Sequence, residues 1–258
     1  MKIIYLAILL FLLSACSETD QEVVEIRNYF KQKVLVINYT AASCYNCGSW
    51  GAPLIHDLEQ SNDVVAICVH SLSDPMYSSS MLSFKSDRET GGEIPVFWVG
   101  DIKTTDEEST RKAVNLVKTN LAVAELEISY IIANTVMYVK VQSTFGFEHK
   151  GIYNLSVFLL EDGIDGSSHT GFYRQAGTLQ SYPNDDFTHD YVLRSSSTCN
   201  EAYGEMIVEN PGKNQVITKS FSFDIKNNPK ENIYPIAVLW KYKPESDKPL
   251  YKFVNAIK

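Results

Sequence analysis

Two cysteines separated by two residues are the part of the sequence best suited to chemistry. Cys44 and Cys47 lie in "TAASCYNCGSW", directly after an apolar run. A pair at this spacing can exchange its disulfide with another thiol, supply two ligands of a zinc site, or hold the fold together as an inert disulfide. The choice among these roles depends on the surrounding elements and on the cellular compartment.

The sequence offers no clear candidates for the further ligands that a zinc site at these cysteines would need. A structural zinc ion needs four ligands, and the chain has neither a second C-x-x-C motif nor a closely spaced pair of histidines. His56 and His70 follow the cysteines, but nothing in their spacing requires a shared metal ion. We therefore predict no metal and no other cofactor, which leaves the exchangeable and the structural disulfide as alternatives.

The residues around the cysteines alternate between strand-like and helix-like patterns. Apolar, β-branched runs typical of buried strands occur in "VLVINY" (34–39), "VVAICVHSL" (64–72) and "IPVFWVG" (94–100). Helical periodicity occurs in "EVVEIRNYFKQK" (22–33), "SWGAPLIHDLEQ" (49–60) and "DEESTRKAVNLVKTN" (106–120). Strands that alternate with helices predict an α/β sheet domain over residues 22–120.

This order of elements resembles that of thioredoxin-like domains, because the C-x-x-C motif follows a buried strand and opens a helix. "GGEIPVFWVG" (91–100) also resembles the loop of those domains in which a cis-proline faces the cysteines. The resemblance implies that the bond before Pro95 is cis and that Ile94 offers its backbone to an extended segment of a substrate. Ile94 and Pro95 are thus the predicted substrate-binding residues.

The position of the two cysteines assigns them different roles. Cys44 stands at the start of a helix, where unpaired backbone N–H groups and the helix dipole stabilise a thiolate and lower its pKa, so it is the predicted nucleophile. Cys47 lies one turn further along and is the predicted resolving thiol. Asn38 stands six positions before Cys44, where thioredoxins usually carry a buried aspartate. An amide cannot accept a proton from Cys47, so the sequence departs from the thioredoxin pattern here.

The second half of the chain follows a different pattern. Alternating runs such as "VMYVKVQSTF" and "VITKSFSFDIK" are separated by turn-rich pieces such as "EDGIDGSS" and "NPGKN". Short strands with turns between them are typical of antiparallel sandwiches. We therefore predict an all-β, immunoglobulin-like sandwich over residues 121–258, following an α/β thioredoxin-like domain over residues 22–120.

The N-terminus has the features of an exported lipoprotein. "MKIIYLAILLFLLSAC" combines Lys2 with an apolar run that is short for a membrane span and typical of a signal peptide over residues 1–15. "LSAC" resembles a bacterial lipobox, which implies that Cys16 is acylated and inserts into a lipid membrane. The polar residues 16–21 then form a tether. We predict a lipid-anchored protein of the outer membrane that faces the periplasm or the surface.

The charge distribution argues against nucleic acid as a partner. The chain carries a formal net charge of −8, with 23 basic and 31 acidic residues, and it has no run of lysine and arginine. Nucleic-acid-binding domains concentrate basic residues on one face or along one helix. We predict no nucleic-acid partner.

Both halves together resemble the outer membrane protein 28-related family of bacterial lipoproteins. The resemblance rests on the lipobox and "VLVINYTAASCYNCGSWGAPLIHDL", and in the second half on "YNLSVFLLEDG" and "DFTHDYVLRSSST". It implies an envelope lipoprotein with an N-terminal thioredoxin-like domain and a β-rich domain. Roles suggested for such proteins include adhesion and receptor-like binding.

Other polar and sulfur-bearing residues have simpler interpretations. His189, Asp190 and Arg194 in "THDYVLR" could form a polar binding patch. Alternatively, His189 and Arg194 pin a long connection between strands by hydrogen bonds to the backbone, and we favour this second interpretation. Cys68 lies inside an apolar strand and is predicted to be a small buried side chain. Cys199 could pair with Cys68 only if the two halves of the chain pack suitably. We predict that Cys199 is a free, partly buried thiol.

Two functions from different classes follow from the sequence. In the first, Cys44 and Cys47 exchange disulfides with cysteine-containing proteins of the envelope, which would make the protein a thiol-disulfide oxidoreductase. In the second, the protein is a surface-binding, adhesin-like or scaffold lipoprotein, and Cys44–Cys47 is only a structural disulfide. The reactivity of Cys44 separates the two.

Overall fold

The computed structural model describes residues 30–167, 173–178, 186–199, 201–226, 231–245 and 247–258. The predicted signal peptide, the tether and the acylation site Cys16 lie outside these ranges, as does most of the helix predicted over residues 22–33. The described end of that segment is not helical, since Phe30 forms a β-bridge with Ala122. Within the described ranges, no helix combines the length and apolar character that a membrane crossing requires.

The first half of the chain alternates strands and helices, as its pattern predicts. Its elements are β1 (Val34–Thr40), a π-helical segment (Cys47–Gly51), α1 (Ala52–Glu59), β2 (Val64–His70), α2 (Ser80–Asp87), β3 (Val96–Val99), β4 (Ile102–Thr104) and α3 (Glu107–Lys118). Every residue of β1, β2 and β3 is buried, as expected of apolar, β-branched strands covered on both faces. β1 pairs parallel with β2 and antiparallel with β3.

The second half is built almost entirely of strands. These are β5 (Ala124–Ala133), β6 (Val136–Phe145), β7 (Ile152–Glu161), β8 (Ile164–Asp165), β9 (Thr188–His189), β10 (Val192–Ser196), β11 (Glu205–Glu209), β12 (Val216–Asp224), β13 (Ile233–Tyr242) and β14 (Tyr251–Ile257). β5, β6 and β12 form a three-stranded antiparallel sheet. The short strands β8 and β9 pair with each other.

One nine-stranded mixed sheet contains strands from both halves of the chain. Its order is β14-β13-β7-β10-β2-β1-β3-β4, and β11 also pairs with β7. The halves join where β10 pairs parallel with β2, with Val192 opposite Cys68. The backbone N–H of Cys68 also donates to the carbonyl of Tyr191 at 2.8 Å.

The predicted fold class is therefore wrong. The chain is mostly β, and a thioredoxin-like α/β domain followed by a separate immunoglobulin-like sandwich is not evident, because strands of both halves share the large sheet. The physical reason is the edge of β2, whose unpaired backbone groups would be exposed in a separate domain. Here β10 covers that edge. The division of the chain near residue 120 stays a prediction.

The hydrophobic cores follow the two faces of this sheet. One core runs across the junction on a single face, from Ile37 of β1 through Phe158 of β7 to Trp240 of β13, and is covered by Phe84 of α2. On the opposite face, α1 and α3 cover β1, β2 and β3, whereas the three-stranded sheet covers β7, β13 and β14. This double coverage holds the end of β1 rigidly, and the C-x-x-C motif follows directly from it.

Candidate functional site

Cys44 and Cys47 form a disulfide just beyond the end of β1. Their Cα atoms are 5.2 Å apart. Cys44 is partly exposed, whereas only 1% of Cys47 is exposed. An attacking thiolate from another protein therefore reaches Cys44 rather than Cys47, in line with the roles that the sequence predicts for them.

The helical turn after Cys44 directs a backbone donor at its sulfur. Helical backbone begins at Tyr45, and the N–H of Cys47 donates to Sγ of Cys44 at 3.1 Å. Cys44 thus occupies the place of an N-cap residue, with sulfur as the acceptor in place of the usual side-chain oxygen. Hydrogen bonds to the charged form of a group favour that form, so this N–H would stabilise a Cys44 thiolate after reduction. The turn continues into the π-helical segment, a feature that is frequent at functional sites.

Ile94 and Pro95 lie beside this disulfide, as the sequence predicts. The carbonyl oxygen of Ile94 is 3.6 Å from Sγ of Cys44, and the Ile94–Pro95 peptide bond is cis. Pro95 is buried, and its ring packs so closely on Gly51 that an added Cβ there would lie 3.2 Å from it. The structure therefore brings together all four of the predicted catalytic and substrate-binding residues.

A cavity that does not include the cysteines is lined in part by Ile94. It has a volume of about 600 Å³, and its wall includes Tyr39, Leu72, Met81 and Leu82. Leu72 and Leu82 are exposed although they are apolar. This cavity can therefore accommodate an apolar side chain of another polypeptide that passes Ile94.

A buried carboxylate holds the loop that precedes the cysteines. Asp74 accepts hydrogen bonds from the backbone N–H groups of Ala42 and Met76, and its other contact is with Nδ1 of His70 at 3.0 Å. Burial raises the pKa of Asp74, but the contact with His70 and the two backbone donors outweigh it and lower the pKa below its ordinary value. Asp74 therefore remains ionised and keeps the Ala42 loop in place beneath Cys44.

The segment from Tyr173 to Thr178, which we call the covering segment, packs on the same loop from the second half of the chain. The side-chain amide of Gln175 donates to the carbonyls of Ala41 and Cys44, and the N–H of Ala176 donates to the carbonyl of Ala42. The sequence analysis missed this segment. No local pattern marks it, because its role depends on a contact across more than a hundred residues.

Two glycines allow the covering segment to approach the cysteine loop. A Cβ added to Gly48 would lie 2.0 Å from the carbonyl oxygen of Ala176, and one added to Gly177 would lie 2.1 Å from that of Tyr45. Gly177 also has a φ of +83°, which L side chains rarely adopt. At these two glycines the backbone of the segment therefore lies directly against the backbone of the loop.

Gly177→Ala is expected to detach the covering segment. The change combines a backbone penalty of about 1–2 kcal/mol with a main-chain clash, so the loss in free energy of unfolding should exceed that of a matched change by at least about 1 kcal/mol. Gly92→Ala is the matched control, since Gly92 has a φ of +88° and no neighbour within 4 Å of an added Cβ. Urea unfolding of both variants measures the difference. Equal losses would show that the close approach is unimportant.

His189 and Arg194 hold a connection between strands. Nε2 of His189 lies 2.6 Å from the carbonyl oxygen of Tyr173, and burial lowers the pKa of His189 to about 4. Nε of Arg194 donates to Glu161 at 2.6 Å. Asp190 accepts from the N–H of Gly163. His189 thus contacts the backbone as the pinning role predicts, whereas Arg194 pairs with a carboxylate and not with the backbone.

Cys68 and Cys199 are the other two cysteines among the described residues, and neither forms a disulfide. Cys68 is buried, and burial raises its pKa to about 12. Asn38 is buried too, with Nδ2 at 3.8 Å from Sγ of Cys68. Cys199 is a free thiol, as predicted, but it is exposed and not partly buried. Among the described residues, no three histidine, cysteine or acidic side chains cluster as a metal site would require.

Comparison with known proteins gives one similarity of fold. The chain is similar to the solved structure of HBP35 of Porphyromonas gingivalis, with a TM-score of 0.69, over 88% of this chain and 74% of that chain. The two are 13% identical in sequence, so the similarity concerns the fold alone. No family model and no curated protein match the chain. The resemblance to the outer membrane protein 28-related lipoproteins therefore stays a prediction.

Proposed function

We propose that the protein exchanges disulfides with cysteine-containing proteins of the cell envelope through Cys44 and Cys47. The proposal rests on the difference in exposure and hydrogen bonding between the two cysteines. Cys44 is partly exposed and its Sγ accepts a backbone hydrogen bond, whereas Cys47 is buried. A purely structural disulfide needs neither an accessible sulfur nor a donor directed at it.

The exchange proceeds in two balanced steps. In the reduced protein, the Cys44 thiolate attacks one sulfur of a client disulfide, and the other client sulfur leaves as a thiolate. Cys47 then attacks Sγ of Cys44 in the mixed disulfide, which closes the Cys44–Cys47 bond and releases the second client thiolate. Two electrons pass from the cysteine pair to the client, and the same steps in reverse oxidise a client dithiol.

The surroundings of Cys44 support binding of an extended client segment. The carbonyl oxygen of Ile94 lies 3.6 Å from the sulfur, and Ile94 also lines the cavity that contains Leu72 and Leu82. A client residue that flanks the reacting cysteine can place an apolar side chain in this cavity. The buried amide of Asn38 cannot accept a proton, so we propose that the departing client thiolate accepts the proton of Cys47.

The reactivity of Cys44 in the reduced protein tests the proposal. We expect Cys44 to be alkylated at pH 7 at least about tenfold faster than an ordinary exposed thiol, because each unit by which the pKa falls raises the thiolate fraction about tenfold. The exposed Cys199 is an internal reference in the same molecule, and mass spectrometry of peptides reads both rates. A Cys44 that reacts no faster than Cys199 would argue for a structural disulfide.

We further propose that the protein is an envelope lipoprotein, anchored in the outer membrane through an acylated Cys16 and related to the outer membrane protein 28-related family. The apolar run that ends in "LSAC" supports this proposal. One acyl chain binds membranes only marginally, whereas several give durable attachment. Metabolic labelling with a radioactive fatty acid tests it, since label retained by a Cys16→Ser variant would contradict acylation at that residue.

A further inference from the structure

A second cavity, away from the disulfide, has a concentrated positive charge. It has a volume of about 320 Å³ and lies between the β13–β14 pair and the connection from α3 to β5. Lys241, Lys243 and Lys252 line it together with His149. None of its lining residues is acidic, although the chain as a whole carries a net charge of −8. We call this cavity the lysine cavity.

The strand register forces two of these lysines together. Lys241 on β13 lies directly opposite Lys252 on β14 in the antiparallel pair. Like charges in directly opposed positions destabilise a sheet. Among the described residues, neither Lys241 nor Lys252 forms a salt bridge with a carboxylate. The charge of Lys252 acts on Asp101, where it lowers the pKa of that carboxyl, but Lys241 has no such carboxylate neighbour. An anion from outside the chain that bound between the two lysines would reduce their repulsion.

Burial and neighbouring positive charge act on the pKa values of two groups at the cavity. The ammonium group of Lys241 lies 5.6 Å from the ring centre of Tyr153, and burial and the nearby Lys243 lower the pKa of Lys241. Burial and the charge of Lys241 likewise lower the pKa of His149. Nε2 of His149 is buried without a hydrogen-bond partner among the described residues. Such an atom needs a partner, since an unsatisfied buried polar atom is unfavourable.

We propose that the lysine cavity binds a phosphate group. Lysine ammonium groups bind phosphate as point charges, and the two that the register brings face to face match a multiply charged anion better than a single carboxylate. The volume exceeds that of a bare phosphate ion, so a phosphate ester also fits. The same chemistry occurs in free phosphate compounds and in phospholipid headgroups, and the experiment separates these sources.

The test uses the purified full chain with Cys16→Ser, which prevents acylation. Inorganic phosphate is titrated at constant ionic strength, and binding is followed by ³¹P NMR. In parallel, sedimentation measures binding to phosphatidylcholine vesicles with and without phosphatidic acid. The variant is Lys241→Gln/Lys252→Gln. Lys103→Gln is the matched control, because Lys103 is an exposed lysine that does not line the cavity.

We expect phosphate to bind and the double variant to weaken that binding by at least about tenfold, while Lys103→Gln leaves it unchanged. Binding of inorganic phosphate identifies a soluble phosphate compound as the source, and binding only to vesicles with phosphatidic acid identifies a headgroup. The double variant should also melt at a higher temperature without phosphate, because the opposed charges are gone. Absence of binding in both assays, or binding that the double variant retains, would overturn the proposal.

Discussion

Cys44→Ser is expected to reduce disulfide exchange to the uncatalysed rate. Cys44 is the partly exposed sulfur of the pair, and without it the buried Cys47 cannot reach a client disulfide. Cys47→Ser should instead retain the first step and accumulate a mixed disulfide between Cys44 and the client, because the resolving thiol is absent. The measurement is the reduction of a small disulfide-bonded peptide, with non-reducing electrophoresis to detect the trapped adduct.

Cys199→Ser and Cys68→Ser are the controls for this experiment. Cys199 is exposed but distant from the helical turn, and Cys68 is a buried thiol with a pKa of about 12. Both variants should exchange disulfides at the rate of the unmodified protein. Circular dichroism establishes that Cys44→Ser remains folded. Full exchange activity in a folded Cys44→Ser variant would remove Cys44 from the mechanism.

Arg88→Met is expected to destabilise the protein by about 3–5 kcal/mol, because it leaves buried carboxylates without their cation. Arg88 is fully buried, and its guanidinium donates to Asp87, Asp101, the hydroxyl of Tyr203 and the carbonyl of Tyr251. Burial raises the pKa of Asp101, although Arg88 partly offsets this effect. Without Arg88, Asp101 would have to lose its charge or become hydrated.

The Arg88→Met substitution should also weaken the packing between α2 and the strands of the second half of the chain. Its guanidinium carbon lies 4.7 Å from the ring centre of Trp240 on β13, so the side chain connects the end of α2 with the strands of the second half. Arg111→Met is the matched control. Arg111 also has two carboxylate partners, Asp57 and Glu107, but it is exposed, and exposed ion pairs contribute less than about 1 kcal/mol. Urea unfolding of both variants makes the comparison, and similar losses would contradict the account.

Residues of the candidate site could be predicted because they are identified by local patterns. The strand before Cys44 is marked by its apolar, β-branched run, and the position of Cys47 follows from helical spacing. Ile94 and Pro95 are predicted only because their loop resembles the cis-proline loop of thioredoxin-like domains. The structure places the carbonyl oxygen of Ile94 within contact distance of Sγ of Cys44. The helix α2 was missed, since "SMLSFKSD" is rich in serine and has little helical amphipathicity.

The fold class could not be predicted because it depends on pairing between distant segments. The run "YNLSVFLLED" gives a strand at β7, but nothing in it indicates that β10, β11 and β13 all pair with that strand. The same applies to the pairing of β10 with β2, which merges the two halves. The contacts of Gln175 with Ala41 and Cys44 also depend on tertiary structure alone.

A redox titration of Cys44 and Cys47 tests the central claim most directly. The purified protein is equilibrated in thiol-disulfide buffers of graded potential, and the alkylated fraction of each cysteine is read by mass spectrometry. The account predicts a reduction potential between about −270 and −120 mV, the range of proteins that exchange disulfides. A potential below about −300 mV would mark Cys44–Cys47 as a structural disulfide and would contradict the proposed function.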